Sequence, residues 1–207
     1  MMSQQLKSDG ELPAKRIAAN AIDDDVIVDA ATKLMTTIGI RRTTMADVAR
    51  TAGVSRATLY RKFANVNEIA AAVTTREFSA IVTSAAAQNA EPGLPSIVGM
   101  LVHIVSEIRR HPLLRRIVEL DPEFLIPYLL HRTGQTSRGQ LAVISTTITH
   151  GQADGAIRAG DPDKMAATVL QMAWSFALTG PVFVTGPDAD AILDSELTDL
   201  LERYLRP

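Results

Sequence analysis

Residues 43–63 read TTMADVARTAGVSRATLYRKF, a stretch whose spacing predicts two short helices joined by a tight corner. Thr44 can cap a helix that starts at Met45, with Asp47 three residues later as a capping-box-like partner. Met45, Val48 and Ala49 share one face, and the small Ala49 lets a second helix cross close by. Gly53 stands where the corner requires positive φ, which glycine adopts at little steric cost. Val54 plugs the corner, Ser55 caps the next helix, and Leu59 and Phe63 anchor that helix at i and i+4.

The outer face of the second helix is then left to Arg56, Ala57, Thr58, Tyr60, Arg61 and Lys62. Short helix, glycine turn and short helix with an exposed basic face is the pattern of a helix-turn-helix, whose second helix enters the DNA major groove. Ala57 and Thr58 are small enough for close approach to base edges. Arg56 suits bidentate bonding to guanine, and Tyr60, Thr44 and Lys62 suit phosphate oxygens. A glycine-linked helical hairpin alone is common. The conjunction of caps, plug, anchors and basic exposure favours DNA recognition over a purely structural hairpin.

Charge distribution points the same way. Residues 40–63 hold Arg41, Arg42, Arg50, Arg56, Arg61 and Lys62 against Asp47, so this window carries +5 in a chain whose net charge is −2. A cationic patch on an otherwise acidic molecule is an electrostatic footprint for phosphate; a solvated charged face is the bland alternative.

The 207 residues are 46% hydrophobic and 21% charged, which supplies a real core and excludes a disordered chain. No cysteine is present, so thiolate metal sites and a cysteine nucleophile are excluded. No Gly-rich phosphate loop, Gly-x-Ser-x-Gly elbow or His-Glu-x-x-His motif occurs. Residues 1–22 read as a polar arm rather than a secretory signal. Met165 to Val184 runs without a charge and is long enough for a membrane span, but Gly180-Pro181 should break it, and the periodicity of its neighbours suits a water-soluble bundle.

Helical periodicity extends along the chain. Ile27, Ala30, Ala31, Leu34, Met35 and Ile38 form one stripe, preceded by Asp23 to Asp25 and stopped by Gly39. Ile97, Met100, Leu101, Ile104, Val105 and Ile108 form another, closed by Pro112. Asp121-Pro122 and Asp161-Pro162 each look like a cap followed by proline at the first helical position. Helices around Gln135–Asp154 and Ala189–Tyr204 complete the set, the last with Leu193, Leu197, Leu200, Leu201 and Tyr204 on one side. The predicted fold is all-α with eight to ten helices: an N-terminal three-helix DNA-binding domain at 23–70 and a larger helical domain at 71–207.

Val26 to Val73 resembles the DNA-binding region of the TetR family of bacterial transcriptional regulators. The resemblance lies in the helix ending at Gly39, then Thr43-Thr44, Asp47-Val48-Ala49, Ala52-Gly53-Val54-Ser55, and Thr58-Leu59-Tyr60 with Phe63. It implies that the remaining helices form a ligand-binding and dimerisation domain. It also implies that Thr44 and Tyr60 contact phosphate and that Ser55–Lys62 faces the groove. The family often has lysine at the start of the following helix, where this chain has Val66; Asn65 with Glu68 still makes a sound capping box. Lys62, or Lys15 and Arg16 of the arm, are the expected compensating cations. The candidate DNA-contacting set is Arg42, Thr43, Thr44, Ser55, Arg56, Ala57, Thr58, Tyr60, Arg61 and Lys62.

Beyond this region the residues are less specific. Pro162–Thr179 is apolar nearly all round and, with Ala189–Leu205, is the candidate dimer interface. Met100, Phe124, Tyr128, Met172 and Trp174 are candidates to border an apolar ligand cavity, against the plainer reading that they are ordinary core. His103, Glu107 and His111 have helical i, i+4 spacing, but no further ligand cluster accompanies them, so no metal and no cofactor is expected.

Together these features predict a cytoplasmic, homodimeric DNA-binding regulator that acts as a repressor. It would bind a palindromic double-stranded operator and be released by a largely apolar small-molecule effector. The alternatives are a helical enzyme using the C-terminal apolar cavity, marked by turnover of a bound molecule, and a DNA-binding activator, marked by the opposite response to deletion.

Overall fold

The first helix buries the face that its 3.6-residue period predicts. In α1 (Asp24–Ile38), Ile27, Ala30, Ala31 and Met35 are buried, while Leu34 and Ile38 are half-buried. The structure is a computed structural model and describes residues 24–88, 93–126 and 135–207, with 135–137 described by their backbone. The N-terminal arm with Lys15 and Arg16, and the candidate ligand residue Tyr128, lie outside the described residues.

The chain continues through α2 (Met45–Thr51), α3 (Arg56–Lys62), α4 (Val66–Gln88), α5 (Leu94–Arg110) and α6 (Pro112–Leu120). A 3-10 turn (Pro122–Phe124) follows, then α7 (Gln135–Ala153), α8 (Pro162–Trp174), α9 (Gly180–Phe183) and α10 (Ala189–Leu205). The fold is all-α, with no strand among the described residues.

Two apolar cores organise these helices. The first collects Ile27, Ala31 and Met35 from α1, Met45, Val48 and Ala49 from α2, Leu59 from α3, and Ile69, Ala70 and Val73 from α4. Leu113 and Ile117 of α6 close it, so a helix far along the chain completes the N-terminal core. The second core joins Val98, Val105 and Ile108 of α5 to Ile148, Met165, Val169, Leu197, Leu201 and Leu205. Leu114 of α6 belongs to this second core. Two faces of one short helix therefore serve two different cores.

Several expectations are corrected. Asp121 makes no side-chain cap for the 3-10 turn; its buried carboxylate accepts instead from the Ile40 and Arg41 amides. Asp161 does cap α8, accepting from the Asp163 and Lys164 amides at 3.1 and 3.3 Å. On α5 the buried face includes Ser106 and Arg109, which the apolar stripe omits. Arg109 is stable there because its Nε meets Asp190 Oδ1 at 2.7 Å and its Nη2 meets Asp194 Oδ1 at 2.6 Å. Leu200 points outward, whereas Leu205 joins the core.

The expected break at Gly180-Pro181 does not occur. A π-helical segment, Ser175–Thr179, links α8 to α9, and the Gly180 amide donates to the Ser175 carbonyl. Proline lacks an amide hydrogen and its ring crowds the carbonyl four residues back, so a wider turn before it lets the helix continue. Pro162–Phe183 is consequently long and apolar enough to cross a membrane by length and composition alone. Here it packs against α5 and α7, with Met165, Ala166, Val169 and Ala177 buried.

Candidate nucleic-acid interface

The corner between α2 and α3 is built by local hydrogen bonds. Thr44, extended at φ −110° and ψ 156°, accepts the Asp47 amide at 3.1 Å and donates its hydroxyl to Asp47 Oδ2 at 2.6 Å. The Thr44 hydroxyl, followed by the Arg50 guanidinium, holds the Asp47 carboxyl below the usual carboxylate range. After α2, Gly53 turns the chain at φ +67°, and the Val54 amide returns to the Ala49 carbonyl at 2.9 Å.

Ser55 then caps α3, its Oγ accepting the Thr58 amide at 3.0 Å. Leu59 is fully buried at 0% exposure and half-buried Phe63 packs on the same core, so these residues fix the rotation of α3. The helix has only seven residues, too few for stability on its own. Burial of Leu59, worth roughly 1.5–3 kcal/mol, anchors it tertiarily.

With that rotation set, Arg56, Ala57, Tyr60 and Arg61 face solvent, Tyr60 at 55% exposure despite its ring. Thr58 is half-buried, its hydroxyl 2.9 Å from Ser55 Oγ. Two other candidates are placed differently from expectation. Thr43 is 4% exposed, and its hydroxyl donates to the Gly39 carbonyl at 2.7 Å, so its side chain belongs to the turn rather than to the outer surface. Lys62 is half-buried and ion-paired with Asp24, which draws its ammonium back toward α1.

The cationic patch is correspondingly narrower than its sequence count. Arg41 lies 3.2 Å from Glu123 and Arg50 lies 2.6 Å from Asp47. Arg42, Arg56 and Arg61 are exposed and have no ion pair among the described residues. The Lys62 and Arg41 partners escaped sequence reading because Asp24 and Glu123 reach the patch only through folding. After α3, Asn65 Oδ1 caps α4 by accepting the Glu68 amide at 3.0 Å despite Val66. The Glu68 carboxylate accepts the Ala64 amide at 2.8 Å, one residue before the N-cap amide that a capping box would use.

Residues 27–73 match the family model described as bacterial regulatory proteins, tetR family. Residues 27–73 are a TetR-family segment. The matched segment spans α1–α3 and the first part of α4, the same elements that build the corner and its core. An uncharacterized HTH-type transcriptional regulator of Mycobacterium bovis is 28% identical over 184 residues, covering 86% of this chain and 92% of that one. Over most of its length the chain is thus similar to HTH-type transcriptional regulators. Among solved structures, a TetR-family regulator from Pectobacterium atrosepticum has a TM-score of 0.68 at 21% identity, covering 94% of this chain and 98% of its own. SmeT, solved in complex with triclosan, has a TM-score of 0.59 at 19% identity, covering 88% and 91%. These structures share the TetR-family fold.

Among the described candidate ligand residues, Phe124 stands apart from Met172. Phe124, in the 3-10 turn, packs against the N-terminal core rather than the C-terminal one, because Asp121 ties that turn to α1. Met172 packs on the second core, while Met100 on α5 and Trp174 at the end of α8 are half-buried. His111 ends α5 and turns to Glu77, with Nε2 3.5 Å from Oε2, and its ring meets Phe78 edge-on. It is therefore not aligned with Glu107, whose near neighbour is Arg110 at 3.9 Å.

Proposed function

We propose that this regulator is a ligand-responsive repressor that binds a palindromic operator as a homodimer through α3. The observation that carries this reading is the exposed outer face of α3, with Arg56, Ala57, Tyr60 and Arg61 displayed above the buried Leu59. In this reading Arg56 reads a base edge. Arg42, Thr44, Ser55, Tyr60, Arg61 and Lys62 contact the backbone, and Ala57 and Thr58 let the helix sit deep in the groove. Residues 23–70 act as the DNA-binding domain and 71–207 as the effector and dimerisation domain. A role on genomic DNA places the protein in the cytoplasm and requires no cofactor.

One helix-turn-helix covers only a few base pairs, so selectivity asks for two copies roughly 34–36 Å apart, one DNA turn. Exposed Val182 and Phe183 on α9 and Ile192 and Leu200 on α10 support a partner surface at the C-terminal helices. Half-buried apolar side chains such as Ile104, Ile144, Met172 and Phe176 on the second core support an apolar effector; triclosan, the ligand of the related SmeT fold, is of that kind. The effector would favour a dimer shape in which the two α3 helices no longer match successive grooves. Moving such a balance from 1:99 to 99:1 takes about 5.5 kcal/mol of differential affinity.

Selection of bound duplexes from random DNA tests the reading. A palindromic enriched site is expected; recovery of no preferred sequence, or of single half-sites only, overturns it. A reporter in a deletion strain then gives the sign of regulation, with derepression expected.

A further inference from the structure

Asp121, at the end of α6, is 4% exposed, and its carboxylate is spent on two amides some eighty residues earlier in the chain. Oδ2 accepts the Ile40 N–H at 2.6 Å and Oδ1 accepts the Arg41 N–H at 3.3 Å. Both amides belong to the turn between α1 and α2. The backbone of Asp121 is itself fixed: its N–H donates to the Ile117 carbonyl and its carbonyl accepts the Phe124 amide, each at 2.9 Å. The approach depends on the residue opposite. A Cβ at Gly39, where φ is +89°, would lie 2.6 Å from Oδ2.

Beyond this contact, hydrogen bonds tie the turn as far as Thr43, which adjoins the N-cap of α2. The Thr43 amide donates to the Ile40 carbonyl at 3.0 Å, and the Thr43 hydroxyl donates to the Gly39 carbonyl at 2.7 Å. Thr44 then caps α2. Two further struts flank the carboxylate: Arg116 Nε donates to the Thr36 carbonyl at 3.0 Å, and Glu123 pairs with Arg41 at 3.2 Å. Adhesion between α6 and the N-terminal core needs none of this, because Leu113 and Ile117 already supply it. A buried carboxylate is costly unless donors converge on it, so its placement on these two amides selects one pose of the turn.

We infer that Asp121 is a positioning residue for DNA binding, its carboxylate setting the pose of the α1–α2 turn and hence of Arg42 and Thr44. Leu114 lies in the second core, so the helix that carries this pin also registers how the C-terminal helices pack. Without the pin the turn samples other poses, and affinity falls by the fraction of molecules left in the competent one.

The inference rests on the regulator reading, and the test separates the two. The probe is a duplex recovered by the wild-type chain from random DNA, titrated at fixed salt against Asp121→Ala and Asp121→Asn. Urea unfolding and amide hydrogen exchange are measured on the same samples. Asp121→Ala, still folded, is expected to bind on the order of tenfold more weakly, with the Ile40 and Arg41 amides exposed to exchange. Asn retains one acceptor for Ile40, so Asp121→Asn should recover most of that loss while the Arg41 amide stays exposed. A purely structural role would lower the unfolding midpoint and leave the folded protein's affinity unchanged; that result overturns the inference. If Asp121→Ala does not fold, Asp121→Asn decides, with an about threefold loss supporting the pin and unchanged affinity overturning it. Failure of the wild-type chain itself to recover any duplex defeats the regulator reading, and the positioning role with it.

Discussion

Lys62, in the last turn of α3, is ion-paired with Asp24, the first residue of α1. The cation best placed to compensate for Val66 is therefore already engaged with a carboxylate, and phosphate must compete for it. Asp24→Asn should tighten binding to all duplexes and steepen the dependence of log affinity on log salt by about 0.9, one extra phosphate contact. Titrations at several salt concentrations check this. An unchanged slope would mean that Lys62 does not reach phosphate even without the Asp24 carboxylate.

Arg56 and Tyr60 are both exposed on the outer face of α3 but should fail differently. Arg56→Ala is expected to relax base preference at one operator position, losing about 1–3 kcal/mol of discrimination there. Tyr60→Phe should weaken all sequences alike by about 0.5–1.5 kcal/mol, the worth of one hydrogen bond. Binding measured on operator variants separates the patterns, and no change in either variant would refute the groove assignment.

Gly39 and Gly53 both have positive φ, at +89° and +67°, yet only Gly39 is crowded. Gly53→Ala meets nothing within 4 Å, so its cost should be confined to left-handed backbone strain of about 1–2 kcal/mol. Gly39→Ala adds a clash with the Asp121 carboxylate and should cost clearly more. Urea midpoints of the two variants give the order, and equal losses would contradict the close packing of Asp121.

Arg109 is 2% exposed and held by Asp190 and Asp194, with Arg110 sharing both carboxylates. The double variant Asp190→Asn with Asp194→Asn leaves a buried guanidinium without a carboxylate, a loss of about 3–5 kcal/mol. Arg109, then Arg110, holds the Asp190 carboxyl below its ordinary value. A depressed folded pKa stabilises the fold above the unfolded value of about 3.9, and this contribution disappears as pH falls through the folded value. Asp190→Asn should therefore be less stable at neutral pH and less sensitive to acid below about pH 4. Denaturation at pH 7 and pH 3 checks both signs.

Phe183 is 83% exposed at the end of α9, and Leu200 projects from α10. If the proposed homodimer forms through this surface, Phe183→Ser and Leu200→Ser should shift sedimentation toward monomer while leaving α2 and α3 intact, with operator affinity falling in parallel. Persistence of the dimer in the combined variant would move the interface elsewhere.

The corner at 44–63 was legible in the sequence because its determinants are local. Thr44, Gly53, Ser55 and Leu59 act within a few residues of themselves, through caps, a left-handed turn and i to i+4 packing. The burial of Thr43 was not legible, because the Gly39 carbonyl that captures its hydroxyl becomes available only once the turn closes. The π-helical passage into Pro181 was equally hidden, since a proline signals a break unless packing holds the flanking turns. Arg109 stayed invisible for the same reason: a charge on an apolar stripe reads as surface until α10 brings it two carboxylates.

From the chain's residues alone came an all-α fold, the helix-turn-helix and the rotation of α3, since periodicity, capping and turn chemistry operate over short spans. Tertiary structure decided which cations remain unpaired, where Phe124 packs, and how α6 locks onto the α1–α2 turn. Those outcomes depend on contacts between residues some eighty positions apart, such as Ile40 with Asp121 and Arg109 with Asp190, and only the folded chain brings such groups within hydrogen-bonding reach.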